Sequence, residues 1–120
     1  MTGADVVVVG AGAAGAATAI LLAERGHAVT LLDKAAFPRP KICGEYLSPE
    51  GARVLDRLGV LKAVDAAGAQ ALHGMRITAP DGTVLDGVYP TEGPWRGYRD
   101  HALAVPREVL ERLLVERART

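Results

Sequence analysis

Three glycines and one carboxylate form the first group of residues whose spacing could do chemistry. Gly10, Gly12 and Gly15 stand as G-x-G-x-x-G in "GAGAAG", and Asp33 follows eighteen residues after the last of them. A pyrophosphate needs backbone that it can approach closely and N–H groups that bind it. Gly10 permits a tight turn, Gly12 offers no side chain to obstruct an anion, and Gly15 lets a helix pack closely on a strand. The N–H groups near Ala13 and Ala14 would then face the phosphates at the positive end of a helix dipole. Asp33 can accept hydrogen bonds from both ribose hydroxyls, and its charge disfavours a 2′-phosphate and so NADP at this position. Its neighbour Lys34 joins the candidate binding residues.

Such a site works only if a strand leads into the loop and a helix leaves it, and the flanking residues meet that demand. Val6 to Val9 is a short β-branched run, read as a strand buried on both faces. Ala13 to Arg25 reads as a helix closed by Gly26, and Ala28 to Leu32 as a second strand. Strand, helix and strand within thirty residues make a βαβ unit with two parallel strands. The alternative, in which the glycines serve packing alone and Asp33 is plain surface, loses weight in this context.

The uncharged run from Val6 to Ala23 also has the length of a membrane-span candidate. Its alanine and glycine content, its switch from valines to alanines and the absence of a preceding positive residue argue against a span or a signal peptide. No transmembrane segment is therefore expected.

Downstream, "FPRPKICGEYL" (Phe37 to Leu47) reads as an irregular loop because of its prolines and glycine. Ser48 can cap a helix with Pro49 at its first position and Glu50 in its first turn, and Gly59 can close it. Leu61 to Ala66 is a shorter helical piece. From Leu72 the pattern is strand-like on either side of Pro80-Asp81-Gly82, a turn signal that predicts a β-hairpin. Ala102 to Val105 is a further short strand. Pro106 then opens a last helix with Val109, Leu110, Leu113 and Leu114 on one face.

The loop from Ala35 to Val60 resembles the segment that follows the ribose acid in FAD-dependent oxidoreductases of the geranylgeranyl reductase and aromatic-ring monooxygenase superfamily. The matching residues are Lys41, Cys43, Gly44 and Glu45, then Leu47, Ser48 and Pro49. "ALAVPREVLERLLVERA" is similar to the strand and helix in which that family places an arginine near the FAD phosphates, here Arg107. The resemblance implies FAD as cofactor where the glycine motif alone leaves FAD and NAD open. It also implies a glutathione-reductase-like, Rossmann-type α/β fold carrying an inserted β-hairpin, with NAD(P)H as the reductant. A pyrophosphate's two charges exceed what amides offset, so a cation such as Lys41 or Arg107 suits the site. Arg107 is also one of four arginines in the last fifteen residues, where plain solvated surface is the alternative.

Cys43 has two readings: a thiol lining the flavin site and activated by Lys41, or a small residue without redox role. Trp95, Tyr89 and Tyr98 either line a hydrophobic pocket or serve as ordinary packing. No general acid or base stands out, so the catalytic residues stay unassigned.

Bulk properties exclude other classes. Fourteen basic residues balance fourteen acidic ones, which gives no electrostatic case for nucleic acid. One cysteine and three scattered histidines give no metal-ligand pattern. Residues 1–120 are the size of one domain, read as the N-terminal portion of an FAD-binding domain that is truncated. On that reading a distal Gly-Asp element, a substrate-binding part and a further parallel strand are absent. The expectation is an FAD-dependent monooxygenase or double-bond reductase in the cytoplasm that acts on a small, hydrophobic substrate. Alternatives are an NAD-dependent dehydrogenase domain and a non-catalytic, incomplete nucleotide module that needs a missing C-terminal half.

Overall fold

The computed structural model describes residues 3–120. The valine run forms β1 (Val6–Val9), the small-residue stretch forms α1 (Ala13–Ala23), and β2 (Val29–Leu32) follows. β1 and β2 pair in parallel, with Val6 opposite Val29 and Val9 opposite Leu32. Asp5 ties the strand starts together. Its N–H donates to the Ala28 carbonyl, and its carboxylate accepts the Ala28 N–H, both at 2.8 Å. The helix stops two residues before the expected Arg25, because Gly26 at φ +87° turns the chain towards β2. The uncharged run is thus a strand, a loop and a helix. Among the described residues, no helix is long and apolar enough to cross a membrane.

One expectation fails at β1. Its side chains are not buried on both faces: Val6 and Val8 are half-buried, whereas Val7 is 55% and Val9 83% exposed. The cause is architectural. β1 and β2 form a two-stranded sheet, α1 covers one face, and no other described element lies over the second.

The stretch expected to be irregular holds a short strand, β3 (Tyr46–Leu47). The expected cap is displaced: Pro49 and Glu50 form a turn, α2 begins at Gly51 (Gly51–Arg57) with Glu50 before it, and the Ser48 Oγ accepts the Gly51 N–H at 3.1 Å. α3 (Leu61–Ala66) and β4 (Gln70–Leu72) come next. The hairpin is β5 (Gly74–Thr78) and β6 (Val84–Val88), closed by Gly82 at φ +87° and an Asp81 carboxylate that accepts the Thr83 N–H at 2.8 Å. β7 (Ala102–Ala104) then lies between β3 and β4, antiparallel to both. The chain closes with α4 (Arg107–Ala118).

The core lies where α1, α2, α3 and α4 meet β7. Ile20, Leu55, Leu58, Val64, Leu103 and Leu114 are buried there, each contributing about 1.5–3 kcal/mol. The hairpin takes no part, since every residue of both its strands is exposed. A radius of gyration of 17.1 Å, against about 14 Å for a compact chain of this length, reflects that projection. α4 lays its expected apolar face on the core, with Leu110 and Leu114 buried and Val109 and Leu113 partly buried. It also buries Val115 and Glu111, which places a carboxylate in the core.

Candidate functional site

The glycine loop is shaped by its own backbone. Gly10 has φ +100°, in the region glycine alone enters freely, and its N–H donates to the Leu32 carbonyl at 2.7 Å. A Cβ on Gly15 would sit on the carbonyl oxygen of Gly10, far inside van der Waals contact. That position therefore demands glycine for the turn itself. At the start of α1, Gly12 is extended and no side chain caps the helix. The first-turn N–H groups of Ala13 and Ala14 have no intrahelical acceptor. An open cleft of ≈ 490 Å³ lies against them, walled also by Asp33, Lys34, Arg39, Lys41 and Arg107.

Asp33 stands at the end of β2, its side chain only 8% exposed. One carboxylate oxygen accepts the Ala35 N–H at 2.8 Å, the other the Ala11 N–H at 2.7 Å. These two N–H groups hold its carboxyl below the usual carboxylate range. Burial opposes them, while Arg39 and Lys34 assist. Arg39 Nη2 lies 3.3 Å from Asp33 Oδ2, and its guanidinium also stacks over the Phe37 ring at 4.9 Å. Asp33 is thus already paired with a cation that sequence reasoning did not single out.

Glu111 was missed as well. Fully buried on α4, it accepts from Arg107 Nε at 2.8 Å through Oε1 and from Arg39 Nε at 3.3 Å through Oε2. A Cβ built on Gly12 would come within 3.3 Å of Glu111 Oε1, 3.7 Å of Arg39 Nη2 and 3.8 Å of Arg107 Nη2. The space left by the missing Gly12 side chain therefore adjoins this arginine–carboxylate group as well as the cleft. Burial works against the charge of Arg107, yet the Glu111 carboxylate and the Cys43 sulfur hold its guanidinium above its usual range. A signal for Glu111 existed in the i, i+4 pair "REVLE", but such pairs ordinarily lie in solvent.

The remaining candidates separate. Lys34 and Lys41 line the cleft, whereas Cys43 and Gly44 are exposed and not among its lining residues. Arg107 Nη1 stands 3.8 Å from the Cys43 Sγ. No atom lies within 4 Å of a Cβ built on Gly44, and the left-handed residue of the loop is Glu45, at φ +55°. Of the aromatics, Tyr98 packs on α2, with its hydroxyl donating to Asp56 at 2.6 Å. Trp95 is 86% exposed and lines a second hollow of ≈ 260 Å³ with Tyr46 and Tyr89. The hydroxyls of Tyr46 and Tyr89 are 2.7 Å apart, and that hydrogen bond pushes the Tyr46 phenol up to about 12.

Around the cleft stand helix N–H groups without an intrahelical acceptor, several cations and the Asp33 carboxylate. A family model described as an FAD binding domain matches residues 3–120. The chain belongs to that FAD-binding family. It is 40% identical over 112 residues to menaquinone reductase of Mycolicibacterium smegmatis, covering 92% of this chain and 25% of the relative. It is 34% identical over 116 residues to 6-methylpretetramide 4-monooxygenase of Streptomyces rimosus, covering 96% and 27%. Among solved structures, a flavoprotein/dehydrogenase from Cytophaga hutchinsonii superposes with a TM-score of 0.83 at 32% identity, over 97% of this chain and 28% of that one. This FAD-binding domain thus spans about a quarter of the length of these curated relatives. The resemblance carried by Lys41 to Pro49 and Arg107 holds at the level of the family, and with it the α/β fold.

Proposed function

We propose that the cleft holds the ADP half of FAD in an oxidoreductase that reduces or oxygenates a small, hydrophobic substrate. The observation that supports this most is the meeting of uncapped N–H groups at Ala13 and Ala14 with Lys34, Arg39, Lys41 and Arg107 around one ≈ 490 Å³ cleft. In this reading the α1 N–H groups, Lys41 and Arg107 bind the pyrophosphate, and Gly10, Gly12 and Gly15 shape the loop beneath it. Asp33 receives the ribose hydroxyls, with Lys34 beside it. Cys43 and Gly44 belong to the loop that passes the cofactor. FAD, when bound, supplies the electron-transfer chemistry, with NAD(P)H as its reductant. The aromatic hollow at Tyr46, Tyr89 and Trp95 supports an apolar substrate. The cytoplasm, where NAD(P)H is at hand, is the compartment proposed.

Calorimetric titration of the chain with FAD, ADP and NADH tests the reading. FAD and ADP are expected to bind, FAD more tightly than NADH. Arg107→Ala is expected to weaken ADP binding about tenfold, in keeping with one lost charge-assisted hydrogen bond. Tighter binding of NADH than of FAD would overturn the assignment.

A further inference from the structure

Two of the cations at the cleft meet on one buried carboxylate. Glu111 touches Arg39 and Arg107 through their Nε atoms, not through their terminal amino groups. Arg107 Nη2 lies 3.8 Å, and Arg39 Nη2 3.7 Å, from where a Gly12 Cβ would stand. The Arg39 amino groups also meet the Asp33 carboxylate, at 3.3 and 3.4 Å. Arg39 and Glu111 are 72 residues apart in sequence, so the contact joins the loop after β2 to α4 beneath the phosphate loop. Among the described residues, no buried side-chain polar atom lacks a hydrogen-bond partner, so neither Glu111 oxygen is free for a ligand.

We infer that Glu111 is a positioning residue for the nucleotide phosphates: one buried carboxylate holds the guanidiniums of Arg39 and Arg107 beside the Gly12 loop. The inference rests on the nucleotide reading above and deepens it. It also assigns Gly12 a second task. A methyl there would press on a carboxylate that two arginines hold in place, so the glycine seats the anchor as well as admitting the anion. Two effects of Glu111 on a bound anion oppose each other. Its charge repels a pyrophosphate, while its geometry presents the cations that attract one. Their difference gives the test its sign.

The experiment compares ADP with adenosine, which shares the base and ribose but carries no phosphate. Binding of each to the wild-type chain, Glu111→Gln and Glu111→Asp is measured by calorimetry, with circular dichroism to verify folding. Glutamine keeps the side-chain length and removes the charge; aspartate keeps the charge and withdraws the carboxylate by one methylene. Both variants are expected to lose about tenfold in ADP affinity while adenosine affinity stays within twofold. ADP binding that is unchanged or tighter in both variants would show that charge rather than placement governs the site, and would overturn the inference. Parallel loss of ADP and adenosine in a folded variant would assign Glu111 a structural role alone, with the same result. Failure of the wild-type chain to bind ADP would remove the nucleotide reading itself. Should Glu111→Gln fail to fold, Glu111→Asp carries the test.

Discussion

The same ionic chemistry occurs in two regions of this molecule with opposite surroundings. In the hairpin, Arg76 and Asp86 face each other across β5 and β6 with two hydrogen bonds of 2.6 and 2.9 Å, both side chains exposed. Under the glycine loop, Glu111 holds Arg39 at 3.3 Å and Arg107 at 2.8 Å with no exposure of its own. The hairpin pair has the shorter bonds and the weaker hold on the fold. Water competes for it, and breaking it strands no buried charge. The longer contacts at Glu111 matter more because no solvent can replace them. Distance ranks these pairs wrongly; surroundings rank them correctly.

Glycines repeat the contrast. A Cβ on Gly74 would collide with the Gly87 carbonyl, as one on Gly15 would with Gly10. Gly15, in the first turn of α1, packs against the Gly10 carbonyl and Val8 of β1, whereas Gly74 lies in an exposed two-stranded ribbon. Gly15→Ala is therefore expected to have the largest effect, about 4 kcal/mol or more, seen as loss of the cooperative urea transition. A folded Gly15→Ala with a near-native midpoint would break the comparison at its strongest point. Next comes Glu111→Ala, which leaves two partly buried guanidiniums without this carboxylate and should cost about 3 kcal/mol in denaturant unfolding. Gly74→Ala should cost about 1 kcal/mol, because the ribbon can splay locally.

Acid titration sharpens the comparison further. Asp33 is held below the usual carboxylate range by the Ala35 and Ala11 N–H groups. Asp86 is lowered by its hydrogen bond to Arg76. A depressed carboxyl contributes stability that is present above its unfolded value and lost as pH falls through the folded one. Stability measured from about pH 5 down to pH 2 should therefore fall less steeply in Asp33→Asn than in wild type, whereas Asp86→Asn should track wild type closely, because solvent screens the hairpin pair. The smallest expected effect is Asp86→Ala at neutral pH, with a melting temperature indistinguishable from wild type.

Legibility in the sequence followed the same division. Gly10, Gly15 and Asp33 could be recognised because their demands are local: one turn, one helix start and one strand end within a βαβ unit. The hairpin was legible from Pro80-Asp81-Gly82 for the same reason. Arg39 and Glu111 were not, since what gives them meaning is a partner 72 residues away. Periodicity found the apolar face of α4 but not the buried Glu111 beside it, because it assumes that a buried position is apolar. The exposed face of β1 was misread for a related reason. A run of valines reports that a strand wants cover on both sides, not whether these 120 residues supply it.

That two-stranded sheet also bears on how the chain behaves in a tube. Among the described residues β1 and β2 each have one neighbouring strand, so each presents an outer edge beside the exposed valines Val7 and Val9. An edge of that kind is a template on which another strand can add. The colloidal lifetime of the isolated chain is then a matter of concentration: dilution protects the edge, and crowding recruits it.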